Sequence, residues 1–482
     1  MKTIKKLPYI FALLLTLTIS FSCIENDPGE TASNESINDW IQSWMDYCYL
    51  WNGEIPAKTD KSLRPDKYFE SLLYKEDRFS WIQENFTDLL DYLNGITTEA
   101  GYDYRILRVN EVNPDLVGIV NYIKPGSPAS GTGLKRGDVF SAINGTRLTV
   151  DNYIDLTDAL SAPHTLGIIK SIDELEPVKT VSLPSVVKYE ENPVFLDTVY
   201  NIAGTKTGYL VYNFFADDKG DNSIAYAKEL NNIFGEFKSA GIDGLILDLR
   251  YNGGGSISTC IALSSMISNQ SSSDLFCIEQ YNENVHEEGL TEIGPDFDKS
   301  YFADNLQRYD AEGNVIESIP LNKLTGLNRL FVITSDRTAS ASELVINCLK
   351  PYMEVILIGD VTYGKNVGSF TIYEEDPEKQ KTNKWGMQPV IVKLANSEEF
   401  SGFGNGFTPD VEISEYKNLP LKPFGDTGEP LLQAALVRMG VMQAPASFRA
   451  DSRNTFIPVF SSIDKTPVRR NTYINRFGKK MP

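Results

Sequence analysis

Leu330-Phe331-Val332-Ile333-Thr334 runs into Ser335-Asp336-Arg337-Thr338-Ala339-Ser340-Ala341-Ser342-Glu343, then an apolar stretch to Leu349, then Val355-Ile356-Leu357-Ile358 and Thr362-Tyr363-Gly364-Lys365. The two short apolar runs predict buried strands and the stretch between them a helix opening at Ser340. Strand, helix and strand in alternation predict an α/β core. The same reading puts a hydroxyl at the mouth of a helix and a lysine on the turn after the next strand. The chain has only two histidines, His164 and His286, so a serine nucleophile has few other bases available. A lysine serves if burial makes its ammonium form unfavourable.

Working outward, Gly208 to Phe214 reads as a strand, and Ile224, Ala227, Leu230, Phe234 and Phe237 recur at helical spacing. Leu245 to Arg250 reads as a buried strand that enters Tyr251-Asn252-Gly253-Gly254-Gly255 and a helix from about Ser256. Residues 280–320 are acidic and weakly patterned, and predict an insertion or exposed loop. Trp40, Trp44, Tyr47, Tyr68 and Leu72 predict a small helical region over 37–95, with its aromatic stripe as core.

Ser340-x-x-Glu343 has a purely structural explanation as a capping box, and Ser171-x-x-Glu174 repeats the pattern elsewhere. Three features set Ser340 apart: the strand directly before it, the small residues Thr338, Ala339 and Ala341 around it, and Lys365 beyond the next strand.

The region before this core carries its own string. Val117 to Ile123 is followed by Gly126-Ser127-Pro128-Ala129, then Gly133-Leu134-Lys135-Arg136-Gly137-Asp138-Val139 and Ile143-Asn144-Gly145. Over 96–185 this order of strand, short helix, Gly-Asp turn, strand and Asn-Gly turn resembles a PDZ domain. That resemblance implies capture of a peptide's C-terminal carboxylate by strand addition, with Gly101 and Tyr102 in the loop that supplies backbone amides.

The combined motifs go further. Thr338-Ala339-Ser340-Ala341-Ser342-Glu343, Gly364-Lys365, Asp248-Leu249-Arg250-x-Asn252-x-Gly254-Gly255 and Gly402-Phe403-Gly404 to Pro409-Asp410 resemble the carboxyl-terminal processing (tail-specific) proteases. The resemblance implies a spiral ββα-type peptidase core over 200–440. It makes Ser340 the nucleophile and Lys365 its base. The amides of Ala341 and a glycine of the loop, here assigned to Gly254, form the oxyanion hole. The chain departs from the family pattern at Ser369, where many relatives carry Gln, and at Pro351, where some carry an acid; Ser369 or Glu343 then supports the lysine. The fold class expected is thus multidomain α/β (α+β): helical region, PDZ domain, peptidase core.

Bulk properties agree with an exported enzyme. The chain has 482 residues, 41% of them hydrophobic and 23% charged, and a net charge of −20. Such a length predicts more than one domain, and the charge argues against nucleic acid as a partner. Lys2, Lys5 and Lys6 precede an apolar run from Leu7 to Phe21, too short to span a bilayer, which marks residues 1–23 as an export signal. Ending at Cys23, it resembles a bacterial lipoprotein signal and implies lipidation of Cys23, a tether over 24–36 and a place in the cell envelope. Beyond Cys23 the cysteines are Cys48, Cys260, Cys277 and Cys348. None forms a Cys-x-x-Cys pair, so no metal site is expected and no cofactor is implied; a disulfide between Cys260 and Cys277 stays open. From 441 to 482 the chain turns basic, with eight Lys and Arg against Asp451 and Asp464, and reads as a poorly ordered tail.

The leading expectation is a lipid-anchored serine endopeptidase acting on exposed C-terminal segments of polypeptides. Two other classes stay open: a peptide-binding lipoprotein with an inactive peptidase core, and an acyl-CoA hydratase-like enzyme on a related spiral core, which would leave the PDZ string and the export signal without a use.

Overall fold

A computed structural model describes residues 32–110, 112–417, 419–443, 456–465 and 472–473. The export signal, Cys23 and most of the tether lie outside the described residues.

The chain opens with α1 (Asn34–Cys48), α2 (Pro65–Leu72) and α3 (Phe86–Leu93). Ser33 caps α1 by accepting from the Ser36 amide, and Asn85 caps α3 through Thr87. The buried stripe of α1 is Ile37, Ile41, Met45 and Cys48, not the tryptophans; Trp40, Trp44 and Tyr47 lie at its rim. Helices α1 and α2 have no core of their own, because they bury into the same cluster as the central sheet, whereas Leu89 and Leu93 of α3 form a small cluster with Trp81.

An antiparallel sheet follows, built from β1 (Tyr102–Arg108), β2 (Leu116–Ile123), β3 (Val139–Ile143), β4 (His164–Ile168) and β5 (Lys179–Leu183) in that spatial order. A helix, Tyr153–Asp158, lies between β3 and β4 in sequence; it is called α4. Tyr104, Ile106, Val120, Phe140, Ile143 and Leu166 form a core separate from the rest of the molecule.

The central sheet begins with the hairpin β6 (Val194–Ile202) and β7 (Thr205–Tyr212). Helix α5 (Ala225–Ala240) then leads to β8 (Gly244–Asp248), and α6 (Ile257–Ile267) to β9 (Leu275–Tyr281). Next come β10 (Arg329–Thr334), α7 (Ala341–Leu349) and β11 (Glu354–Gly359). The sheet order is β6-β7-β8-β10-β11, closed by Val411–Glu412, and every pair from β7 onward is parallel. Strand β8 is buried along its whole length, which is why its sequence reads as an unbroken apolar run. Helices α5, α6 and α7 cover one face, and α8 (Pro430–Met439) covers the other. A second sheet holds β12 (Val367–Ser369), β13 (Val390–Asn396) and β9, with the two-residue strands Gly255–Ser256 and Thr472–Tyr473 at its near end.

Two expectations need correction. Residues 280–320 are not an exposed loop: they form a helix, Glu283–Glu292, and a hairpin of Asn305–Tyr309 with Val315–Pro320. The hairpin is mostly solvated and held by ion pairs such as Arg308–Glu317 and Lys228–Glu317, so it shows little apolar alternation. The tail is not uniformly unstructured either. Ile457–Ser461 pairs with β1 at the sheet edge, because Val459 and Phe460 pack onto the core beneath. Cys48, Cys260, Cys277 and Cys348 are all buried free thiols, so Cys260 and Cys277 are not bridged.

A buried charge cluster fixes the C-terminal end of β8, from which the glycine loop departs. Arg250 donates to Asp248 at 2.7 Å and to Glu415 and Glu429 at 2.8 Å each. Arg136, from the antiparallel sheet, also bonds Glu415, and Tyr251 donates to Glu415 at 2.6 Å. Burial alone would raise the Glu415 carboxyl, but Arg136 and Arg250 bring it down to about 2. A depressed carboxyl contributes stability that is complete above its unfolded value and lost as pH falls towards 2. Arg250→Met leaves three buried carboxylates short of a partner and is expected to cost about 3–5 kcal/mol in urea unfolding at pH 7. The deficit should narrow below about pH 4.5, where protonated carboxyls no longer need a cation; a deficit independent of pH would mean the loss is one of packing.

Candidate active site

Ser340 stands at the head of α7 with φ +61° and ψ −116°, a backbone conformation that non-glycine residues rarely adopt. The sharp turn out of β10 requires it. Glu343, one helical turn on, holds that turn in place. Its Oε2 accepts from the Ser340 amide at 2.9 Å and from the Lys365 amide at 2.8 Å. Its Oε1 accepts from the Gly364 amide at 2.7 Å and the Thr362 hydroxyl at 2.5 Å. One carboxylate thus brings the Ser340 backbone and the Lys365 backbone to the same point. Burial pushes the Glu343 carboxyl upward, and its four hydrogen-bond donors oppose that. Gly364 sits at φ +87°, and a Cβ there would lie 2.4 Å from the Gly404 carbonyl oxygen, so only glycine fits.

Both candidate side chains are buried: Ser340 and Lys365 are each 1% exposed. Burial lowers the Lys365 ammonium from 10.5 to about 7, with Asp77 and Glu343 opposing the fall. Its Nζ lies 5.1 Å from the centre of the Phe79 ring. The neighbouring Arg78 donates to the Gly364 carbonyl at 3.3 Å and to the Gly404 carbonyl at 3.2 Å. Asp77 is itself fixed by the Phe79 and Ser80 amides at 2.8 and 3.0 Å and by the Tyr49 hydroxyl at 2.8 Å. The N-terminal segment therefore supplies one wall of the lysine site. Sequence reasoning gave this segment no part in the site; no motif marks it, and its contacts span nearly three hundred residues of chain.

The glycine loop is stapled to the serine turn through Asn252. Its backbone carbonyl accepts from the Ala339 amide at 3.1 Å and the Ser342 hydroxyl at 3.0 Å, and its Nδ2 donates to the Tyr212 carbonyl at 2.8 Å. Gly254 comes into the loop as expected, but its amide donates to Asn252 Oδ1 at 2.9 Å; to receive an oxyanion it must first leave that side chain. Gly255 has φ +138°, and a Cβ there would meet the Phe215 carbonyl oxygen at 2.1 Å. Ala341 begins α7, where backbone amides lack partners within the helix. Ser369 is buried on β12 and its hydroxyl has no hydrogen-bond partner among the described residues, whereas Glu343 holds the Lys365 backbone amide.

The histidines are engaged elsewhere. His164 Nε2 is 2.9 Å from the Tyr102 hydroxyl inside the antiparallel sheet, and His286 packs against Phe297. Tyr102 is therefore a buried strand residue, not part of a loop. Gly101 is at φ +88°, and its carbonyl accepts from the Lys124 amide and the Ser127 hydroxyl at 2.9 Å each. The sheet is bolted to the serine turn: Arg337 donates twice to Asp103, at 2.6 and 2.7 Å, and Arg105 pairs with Asp336. Burial would raise the Asp103 carboxyl, but Arg337 holds it down to about 2.

With this geometry in view, comparison with known proteins is direct. Residues 206–413 match the model of Peptidase family S41, and residues 36–81 match the Peptidase S41 N-terminal domain, the segment that ends beside Lys365. The C-terminal processing peptidase of Tetradesmus obliquus (chloroplastic) is 26% identical over 50% of this chain and 47% of its own length. A carboxyl-terminal-processing protease of Synechocystis sp. is 24% identical over 88% of this chain and 91% of its own. The crystal structure of a candidate S41 protease from Bacteroides fragilis superposes with TM-score 0.65 at 26% identity, covering 84% of this chain and 97% of that one. The aligned part spans about half the length of the first curated relatives. The chain belongs to peptidase family S41, with the mixed α/β fold of that family, and is related to the carboxyl-terminal processing proteases.

Asp77 works against the depression of Lys365, so removing its charge should carry the lysine lower still. Asp77→Asn keeps an acceptor for the Phe79 and Ser80 amides. It is expected to move the ascending limb of kcat/KM against pH to lower pH, and a limb that stays put would mean that Asp77 does not act on the base.

Proposed function

We propose that this chain is an exported serine endopeptidase that cleaves polypeptides through a Ser340/Lys365 dyad. The observation that carries the reading is a fully buried lysine, brought to about 7, whose backbone shares the Glu343 carboxylate with the strained serine turn. A lysine that is substantially neutral near pH 7 accepts a proton from a hydroxyl without help from a metal or a histidine.

In this mechanism neutral Lys365 takes the Ser340 Oγ proton as the oxygen attacks the substrate carbonyl carbon. The tetrahedral oxyanion is received by the Ala341 amide and by a glycine-loop amide, Gly254 once it is released by Asn252. Losing one such donor typically costs about 100- to 1,000-fold in rate. Collapse of the intermediate breaks the C–N bond, and Lys365 returns its proton to the leaving amine. Water, deprotonated by the same lysine, then hydrolyses the acyl-enzyme. Glu343 positions both partners and takes no proton from the substrate.

The sheet of residues 102–183 is assigned as a PDZ-like module that receives extended peptide by strand addition. Its attachment to the serine turn through Arg337–Asp103 supports a substrate path from module to cleft. Cleavage of exposed C-terminal segments, lipidation at Cys23 and placement in the cell envelope complete the proposal; they rest on the motifs and the relationship above.

A fluorophosphonate serine probe tests the chemistry. The intact chain should be labelled at Ser340, with a rate that rises with pH through a single ionisation near 7. Ser340→Ala should lose labelling and proteolysis while losing at most about 1 kcal/mol of stability from the cap. Lys365→Arg should lose activity by at least about 100-fold, because a guanidinium stays protonated. Peptide binding by a chain that neither labels nor cleaves would establish the inactive, peptide-binding alternative.

A further inference from the structure

Two short segments near the C-terminus lie where extended peptide would be expected to lie. Ile457–Ser461 pairs antiparallel with the outer edge of β1, with Ile457 opposite Arg108 and Ser461 opposite Arg105. The strand fills the space between β1 and α4. Phe460 packs on Tyr104 and on Tyr153 of α4, with ring centroids at 6.5 and 6.1 Å, and Lys465 reaches Asp158 at the end of α4 at 2.9 Å. Ser462 donates to Asp103 at 2.6 Å, on the carboxylate that also binds Arg337 beside the nucleophile turn. An extended segment on a sheet edge, with an apolar side chain between that edge and a helix, is the arrangement of a peptide bound by strand addition.

The second segment lies beside the glycine loop. Thr472 and Tyr473 run parallel to Gly255 and Ser256, directly after the glycine of the loop, and Tyr473 also registers with Ser369 of β12, four residues beyond Lys365. The backbone of the chain's own tail thus bridges the strand after the candidate oxyanion loop and the strand after the base. A substrate strand added along that edge would use the same backbone donors and acceptors. Only six residues separate Lys465 from Thr472. A tether that short gives an effective concentration in the millimolar range, so even weak pairing competes with free peptide.

We propose that Ile457–Ser461 and Thr472–Tyr473 are intramolecular peptide ligands: the first strand occupies the peptide edge of β1, and the second occupies the line a substrate strand would take beside the glycine loop, so that a polypeptide substrate binds only by displacing them. The inference rests on the reading of this cleft as a peptidase site, and its test is a binding measurement that does not need turnover.

The measurement uses Ser340→Ala, which cannot cleave, and a fluorescein-labelled synthetic peptide of residues 466–482 as probe, read by anisotropy. The full-length chain should bind the probe weakly. A chain ending at Lys465 should bind it at least about 10-fold more tightly, because the tethered competitor is gone. A full-length chain carrying Thr472→Pro and Tyr473→Pro, which removes the pairing amides without shortening the protein, should behave like the truncation. In the catalytically intact background the same two changes should lower KM for an unstructured polypeptide and leave kcat unchanged. Equal affinity for the probe in all three chains, or binding lost on truncation, overturns the proposal. Failure of the proposed chemistry would appear separately, as absence of Ser340 labelling in every form.

Discussion

A lysine becomes a base near neutral pH only where water cannot solvate its ammonium, and the arrangement around Lys365 follows from that requirement. Burial there outweighs the opposing charges of Asp77 and Glu343. Phe79 lies against the amine, and Arg78 closes the Gly364 and Gly404 carbonyls that would otherwise face outward. Glu343, the nearest carboxylate by sequence logic, gives its lone pairs to backbone amides and a hydroxyl instead. It fixes where the lysine backbone is, and its charge, like that of Asp77, opposes the fall of the ammonium. The same isolation carries a cost. A lysine whose folded value is about 7 rather than 10.5 destabilises the native state increasingly as pH falls from the higher value to the lower, and fully below it. The surrounding α/β core, with β8 buried along its length, carries that strain along with that of Ser340.

Rigid support for the serine comes from outside the peptidase core as well. Arg250 gathers Asp248, Glu415 and Glu429 at the mouth of the glycine loop, and Arg136 enters the cluster from the antiparallel sheet. Arg337 reaches the other way, from the nucleophile turn into Asp103 of β1. The sheet that would read substrate and the turn that would cut it are therefore joined by two buried guanidinium links rather than by a linker. Ser462, just past the strand on the β1 edge, and Arg337, three residues before Ser340, share the Asp103 carboxylate.

Much of this was legible in the sequence, and the reasons are local. The apolar runs at Leu245–Leu249 and Leu330–Thr334 could only be strands buried on both faces, and Ser340 with Lys365 stood out because the small residues and the following Gly-Lys turn leave few other structural uses. What could not be read is what the chain brings together from afar. Asp77, Arg78 and Phe79 carry no motif, and their contacts with Lys365 and Gly364 depend on how α1 and α2 seat on the central core. Gly254 was chosen from the loop because any of its glycines could turn an amide towards substrate; that the Asn252 side chain, two residues earlier, accepts from its amide could not be read from the sequence. The tail misled because a basic, Ser- and Pro-rich composition describes its average, whereas order at 457–461 depends on two apolar residues finding an edge.

The central claim, that desolvation makes Lys365 a base at neutral pH, is tested most directly by titrating that one amine. Selective 15N-lysine labelling with NMR detection of the side-chain nitrogen, and Lys365→Met to assign the resonance, gives its ionisation in the folded protein. The account predicts a midpoint near pH 7 for Lys365 against about 10.4 for the exposed lysines. A midpoint in the ordinary lysine range would contradict it and leave Ser340 without a base.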